Sequence, residues 1–151
     1  MPESKLSDYI GNLNVVLFAP EDLELVKGSP GIRRKFINSE FGQMSANYLL
    51  NLLEYRKVLK DRNAYLKNIS ISKGRPIYDK TYLQVLDDQL SDFGSKIIQQ
   101  RFLLVKKLEG YAQKIHQAIS GGEDLNIKYR TFPGLDDQSG FEDIRKIFPN
   151  N

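Results

Sequence analysis

Leucines and aromatics recur at steps of three and four through the second half of this chain. Leu83, Leu86, Leu90, Phe93 and Ile97 step by 3, 4, 3 and 4, which is a heptad seam. From Arg101 the same steps return through Leu104, Leu108, Tyr111 and Ile115. The join from Ile97 to Arg101 is a second consecutive step of four, so the seam slips there as in a stutter. Past the slip a second stripe runs alongside: Ile98, Phe102, Val105, Ala112 and Ile119. Two apolar faces on one helix imply burial on both. Asp79 supplies an N-cap and Gly121-Gly122 a C-terminal stop, which predicts one helix of about 40 residues, roughly 60 Å long. Its distal part, 79–96, reads as one arm of a hairpin, and the remainder as a stem embedded in a globular base.

A partner for that arm precedes it. Ser45 caps a segment without Gly or Pro from Ala46 to Lys73, in which Leu49, Leu52, Leu53, Arg56, Leu59, Asn63 and Leu66 fall near helical spacing. This predicts a helix over about 46–70, closed by the breaker Gly74-Arg75-Pro76. Upstream, residues 13–18 (LNVVLF) read as a buried strand ending at Pro20. A short helix then begins at Pro20 and stops at Gly28. Ser29-Pro30 restart a helix that is expected to run to about Phe41 and close at Gly42. Residues 125–132 alternate and read as a strand, Pro133-Gly134 break it, and 141–148 begin a last helix. The expected fold is mainly α: a long antiparallel two-helix hairpin on a small base, with short flanking strands at 13–18 and 125–132. A single domain over 1–151 is expected, with strand and short helices in 1–44, the hairpin in 45–122, and a strand and stub in 123–151. Both ends read as cut.

Composition changes this picture in one respect. The net charge of +3 conceals an asymmetry, because 27–75 holds eleven Lys or Arg against the three acids Glu40, Glu54 and Asp61. Clustered cations attract polyanions. The chain has no cysteine and no run of eighteen apolar residues, and its opening lacks the basic and apolar regions of a signal peptide. A cytoplasmic protein without a membrane partner is expected.

Catalytic chemistry is hard to assemble here. His116 is the single histidine and has no partner at ligand spacing, so it reads as structural. Asp87 and Asp88 diverge by about 100° on a helix and read as solvated or paired surface acids rather than a joint ion grip. No G-x-x-x-x-G-K-[ST] loop is present, and no apolar strand ends in an acid that could hold magnesium. An enzymatic role for the chain by itself is not expected.

More specific are NVVLFAPEDL at 14–23, LVKGSP at 25–30 and RRKFI at 33–37. Together they resemble the signature that follows the first ATPase subdomain in the RecF family. Tyr55, Leu59, Arg62, Asn63, Leu66 and Lys67 match that family's Y-x-x-x-L-x-x-R-N-x-x-L-K stretch, and the resemblance extends less sharply to Tyr129-Arg130. Ile37-Asn38 stand where Leu-Asp is usual. The resemblance implies the arm domain of a cytoplasmic, ATP-dependent DNA-binding protein related to SMC and ABC-type ATPase heads. Such proteins are weak DNA-dependent ATPases that dimerise around two ATP molecules and help load RecA at gaps with RecO and RecR. Their Walker A precedes this region, and their signature motif and Walker B follow it, so ATP and magnesium belong to the full-length parent and no cofactor to this segment. The opening methionine reads as an artificial or alternative start. Glu21 stands where SMC-type relatives carry a nucleotide-sensing glutamine, which implies a place beside the nucleotide in the parent.

Two functional expectations follow. In the first, Arg33, Arg34, Lys35, Arg56, Lys57, Lys60, Arg62, Lys67 and Arg75 neutralise phosphates of double-stranded DNA without reading sequence. Arg33 and Arg62 have an alternative reading as partners of acids or helix ends. In the second, the hairpin is a coiled-coil-like docking module for RecR or a second copy, with no direct DNA contact; the resemblance separately implies the ATPase head of the same parent as a partner.

Overall fold

The computed structural model of the protein describes residues 23–71 and 79–147. The expected strand at 13–18, Glu21, and the turn with Arg75 lie outside the described residues. Among the described residues five helices follow in order: α1 (Glu24–Lys27), α2 (Pro30–Met44), α3 (Ala46–Ile71), α4 (Lys80–Ser120) and α5 (Phe141–Ile147). The fold is mainly α. The chain divides into two compact units, one up to Leu53 and one from Glu54 onward, and α3 contributes to both.

In the first unit α1 ends at Gly28, whose N–H donates to the Glu24 carbonyl at 2.7 Å. A Cβ there would come within 2.5 Å of that same oxygen, so only glycine allows the turn. Pro30 opens α2, where its missing N–H costs nothing. This helix does not close at Gly42. It continues to Met44, because Gly42 is buried beneath the Leu49 side chain and the true stop is the extended Ser45. Ser45 has a second task, its Oγ accepting the Tyr48 N–H at 3.2 Å to start α3. Among the described residues of this unit Tyr48 is the wholly buried side chain. Its hydroxyl donates to Asn38 Oδ1 at 2.7 Å, and its ring meets Phe41 edge-on at 5.8 Å, so the polar end of a buried aromatic is satisfied.

In the second unit the remaining turns of α3 lie antiparallel to α4. The pairing is read from residue numbers that fall on one helix as they rise on the other. Tyr65 meets Asp79 and Tyr82, Arg62 meets Asp87, and Val58 packs with Leu86 and Leu90. Half-buried Tyr55, Leu59 and Phe93 close this cluster. Burial of Val58, Leu86 and Leu90 stabilises the pair by about 1.5–3 kcal/mol per side chain. Leu83, Leu86, Leu90 and Ile97 are buried as the heptad requires. Asp79 caps α4 through its side chain, which accepts from the Tyr82 N–H at 3.0 Å. The other end is closed by Gly121 and Gly122, both at positive φ, with the Gly122 N–H on the Gln117 carbonyl at 3.1 Å.

Three further expectations are corrected. The buried face of α3 is only partly the one its leucines suggest: Leu52 is buried and Leu59 packs as expected, but Leu53, Arg56 and Asn63 are exposed, and the packed positions beyond Leu53 are Tyr55, Val58, Leu59, Arg62 and Tyr65. Residues 125–132 form no strand, because no second strand is present among the described residues to complete a ladder. The segment instead runs extended against α4. Ile127 N–H donates to Glu109 Oε1 at 3.0 Å, and Tyr129 stacks edge-on with Phe102 at 5.2 Å while receiving a hydrogen bond from Arg101 at 3.1 Å. The proximal half of α4, finally, is not buried on both faces. Ile98, Phe102 and Val105 are buried, whereas Leu108, Tyr111, Ile115 and Ile119 are exposed.

The α5 helix docks on α4 where that helix carries small residues. Ser91, Gly94 and Ser95 are buried, and the Ser91 hydroxyl donates to the Arg145 carbonyl at 3.2 Å. That close approach seats Ile144, which is 0% exposed, against Ile98 and Phe102. Ile144→Ala is expected to lower stability by about 2–5 kcal/mol, because the space it leaves cannot collapse fully. A urea titration checks this, and an unchanged midpoint would mean that α5 is undocked in solution.

Candidate nucleic-acid interface

Helical geometry sorts the cations of α3. At about 100° per residue, Arg56, Lys60, Asn63 and Lys67 fall within a sector of roughly 60°, at spacings i, i+4, i+7 and i+11. All four are exposed, on the side turned away from Val58, Arg62 and Tyr65. Arg56 and Lys67 are about 16 Å apart along the axis. Lys57 is exposed on the neighbouring flank, with Asp61 one turn further on the same side. None of Arg56, Lys57, Lys60 and Lys67 has a carboxylate partner among the described residues. Lacking a local partner, their charge is projected outward as one cationic strip.

The other expected site residues are placed differently. Arg62 lies on the packed face and is ion-paired with Asp87, their side chains being 21% and 9% exposed. Asp87 Oδ2 is buried with no hydrogen-bond partner among the described residues, where Arg62 is the group that neutralises this carboxylate. Arg33 donates to the carbonyl oxygens of Leu25 at 3.2 Å and Gly28 at 2.9 Å, where it satisfies the orphaned end of α1. Arg34 and Lys35 are exposed on α2, but with Arg33 they radiate about 100° apart and form no common strip. Arg56 and Asn63 both fall in the apolar spacing of the sequence, yet both lie on the exposed face. The spacing of Asn63 from Arg56, Lys60 and Lys67 was the available signal.

Elsewhere in this unit a cavity of about 300 Å³ lies between α4 and residues 127–137, lined by Phe102, Val105, Ile127, Tyr129 and Leu135 among others. Lys106 and Asp137 also line it and are 2.9 Å apart. Their hydrogen bond and mutual charge hold the Asp137 carboxyl below its ordinary pKa and push the Lys106 ammonium above its own. His116 Nδ1 lies 3.2 Å from the Glu123 carbonyl oxygen, in a structural position just before the Gly121-Gly122 turn. Among the described residues no helix is long and apolar enough to cross a membrane.

Comparison with known proteins adds what geometry alone does not. The chain is 68% identical over 150 residues to the DNA replication and repair protein RecF of Oenococcus oeni, an alignment that covers 99% of this chain. The chain belongs to the RecF family. Against RecF of Pediococcus pentosaceus the identity is 53% over 130 residues, or 85% of the chain. A solved structure of the recombination mediator protein RecF-ATPrS in the RecFOR pathway matches 93% of this chain with a TM-score of 0.80 and 32% identity. RecF-ATP of the same pathway matches with a TM-score of 0.78. The chain spans 40% of the Oenococcus RecF and 36% of the first solved RecF chain. No family model matches it.

Proposed function

We propose that this chain is the DNA-contacting arm of a RecF-type recombinational repair protein, one that holds duplex DNA through its phosphates. One observation carries this reading: the exposed strip of Arg56, Lys60, Asn63 and Lys67, opposite the packed face of α3. A strip about 16 Å long lies beside roughly ten phosphate charges of a duplex, counted at about one per 1.7 Å of axis. Its donors are long, mobile side chains on one straight helix, suited to a phosphate backbone and not to reading base edges. Arg33 and Arg62 are left out of the strip because their guanidinium groups hold the fold. ATP and magnesium are assigned to the remaining length of the RecF polypeptide, as are RecA loading with RecO and RecR and pairing with a second protomer. The whole of 1–151 then acts as one arm domain.

Fluorescence anisotropy with a labelled duplex of arbitrary sequence tests the reading. Log affinity is expected to fall linearly with log salt, with a slope between about −2.7 and −3.6 for three or four phosphate contacts, and to vary little with sequence. Absence of binding, or binding indifferent to salt, would remove the DNA role from this chain.

A further inference from the structure

The strip of α3 is not an even row of cations. Lys60 and Lys67 stand about two turns apart, or about 10.5 Å along the axis. The residues that lie between them on the helix surface are Asn63 and Ala64, each three or four positions from both lysines. Both are exposed. Two short side chains between two long ones leave a shallow notch, open to solvent and flanked by an ammonium group at either end.

Local folding does not account for the asparagine. Asn is a poorer helix former than Lys or Ala, because its amide competes for backbone groups. The Asn63 side chain makes no such bond, and among the described residues it has no hydrogen-bond partner. Its amide is left with two N–H donors to offer to solvent or to a ligand. In contact with a phosphate the amide and the ammonium act differently. Lysine is a hydrated point charge on a flexible stem, and it holds any polyanion by releasing counterions. The amide is neutral, short and directional. It donates to a phosphate oxygen without displacing a counterion, so what it adds to affinity does not depend on salt.

We propose that this notch seats one phosphate of the duplex, with the Asn63 amide donating to a phosphate oxygen and Lys60 and Lys67 on either side of it. The assignment rests on the DNA-contacting reading given above. It makes Asn63 the residue that tells a nucleic-acid backbone from other polyanions. Ala64 keeps the floor of the notch low enough for the short amide to reach.

Anisotropy titrations of the chain on a labelled duplex, repeated over a range of salt concentrations, test this. Asn63→Ala is expected to weaken binding by about tenfold at every salt concentration, the measure of one hydrogen bond to a charged group. Its plot of log affinity against log salt then runs parallel to that of the unsubstituted chain, whereas Lys60→Ala flattens the slope by about 0.9. Heparin, a polyanion without a phosphate backbone, should bind Asn63→Ala and the unsubstituted chain equally well. Ala64→Leu should also weaken duplex binding, by filling the notch, and leave the thermal midpoint unchanged because leucine is a good helix former. A plot for Asn63→Ala that coincides with the unsubstituted one, or that changes slope, would overturn the assignment. So would an equal loss towards heparin, a lowered midpoint in Asn63→Ala, or duplex binding indifferent to Ala64→Leu. A loss confined to A·T-rich duplexes would overturn it as well, since the amide would then be reading a base edge. Failure of the unsubstituted chain to bind duplex in a salt-dependent way is a separate result, which removes the DNA-contacting reading and this assignment with it.

Discussion

Replacing Arg62 with methionine is expected to destabilise the chain by about 3 kcal/mol, although methionine keeps most of the apolar stem. The loss comes from Asp87. Its carboxylate is 9% exposed, and Oδ2 has no partner of its own among the described residues, so removal of the guanidinium strands a nearly buried charge. Breaking one side of such a pair costs about 3–5 kcal/mol, whereas replacing both members by apolar groups is often neutral. The double variant Arg62→Met with Asp87→Leu should therefore recover most of the lost stability, and a double-mutant cycle by urea unfolding measures the coupling. If the single variant lost less than about 0.5 kcal/mol, as exposed pairs commonly do, the pairing would be incidental. The register of the hairpin would then rest on its apolar cluster alone.

The second large effect concerns the exposed strip. Changing Arg56, Lys60 and Lys67 together to glutamate should leave folding intact, because all three are exposed and have no carboxylate partner among the described residues. Each phosphate contact is worth about 0.9 of a decade in affinity between 1 M and 0.1 M salt. Losing three then weakens duplex binding by roughly 500-fold at 0.1 M, before any repulsion from the new carboxylates. The salt slope should flatten by about three. A control with Lys128→Glu and Lys146→Glu changes net charge without touching α3, and should have a much smaller effect. Equal losses in the two variants would mean that net charge, not the strip, governs binding.

How much of this was legible beforehand depended on how local the determining signal is. The bounds of α4 could be read from Asp79 and Gly121 because a cap and a left-handed stop act within one turn. Its seam from Leu83 to Ile97 was legible because the polar residues between those positions leave one apolar face. The case of α3 is different. Leu49, Leu50, Leu52, Leu53, Tyr55, Val58 and Leu59 surround much of the helix, so spacing alone could not decide which side packs, and Arg56 and Asn63 were drawn into the seam in place of Val58 and Arg62. Choosing between them requires the register of α3 against α4, in which Asp87 lies opposite Arg62. Periodicity within one helix does not contain that information. Residues 125–132 misled for a related reason. Alternation describes an extended chain with one side covered, and the cover here is the α4 surface around Phe102 and Glu109, not a neighbouring strand. The stripe from Leu104 to Ile119 shows the limit of the rule that apolar faces are buried. The pattern marks a face made to be covered, and from Leu108 to Ile119 the described residues of a chain that spans 40% of its Oenococcus relative supply no cover.

The unbroken length of α4 has a mechanical consequence. Its 41 residues form a rod of about 60 Å, with the hairpin at one end and the exposed apolar stripe towards the other. No proline interrupts it, and Gly110 is the single residue of the stripe region without a side chain to stiffen the turn. Contacts spread from Asp79 to Gln117 tie it along this length, so a push at one end is carried to the other with no hinge between them.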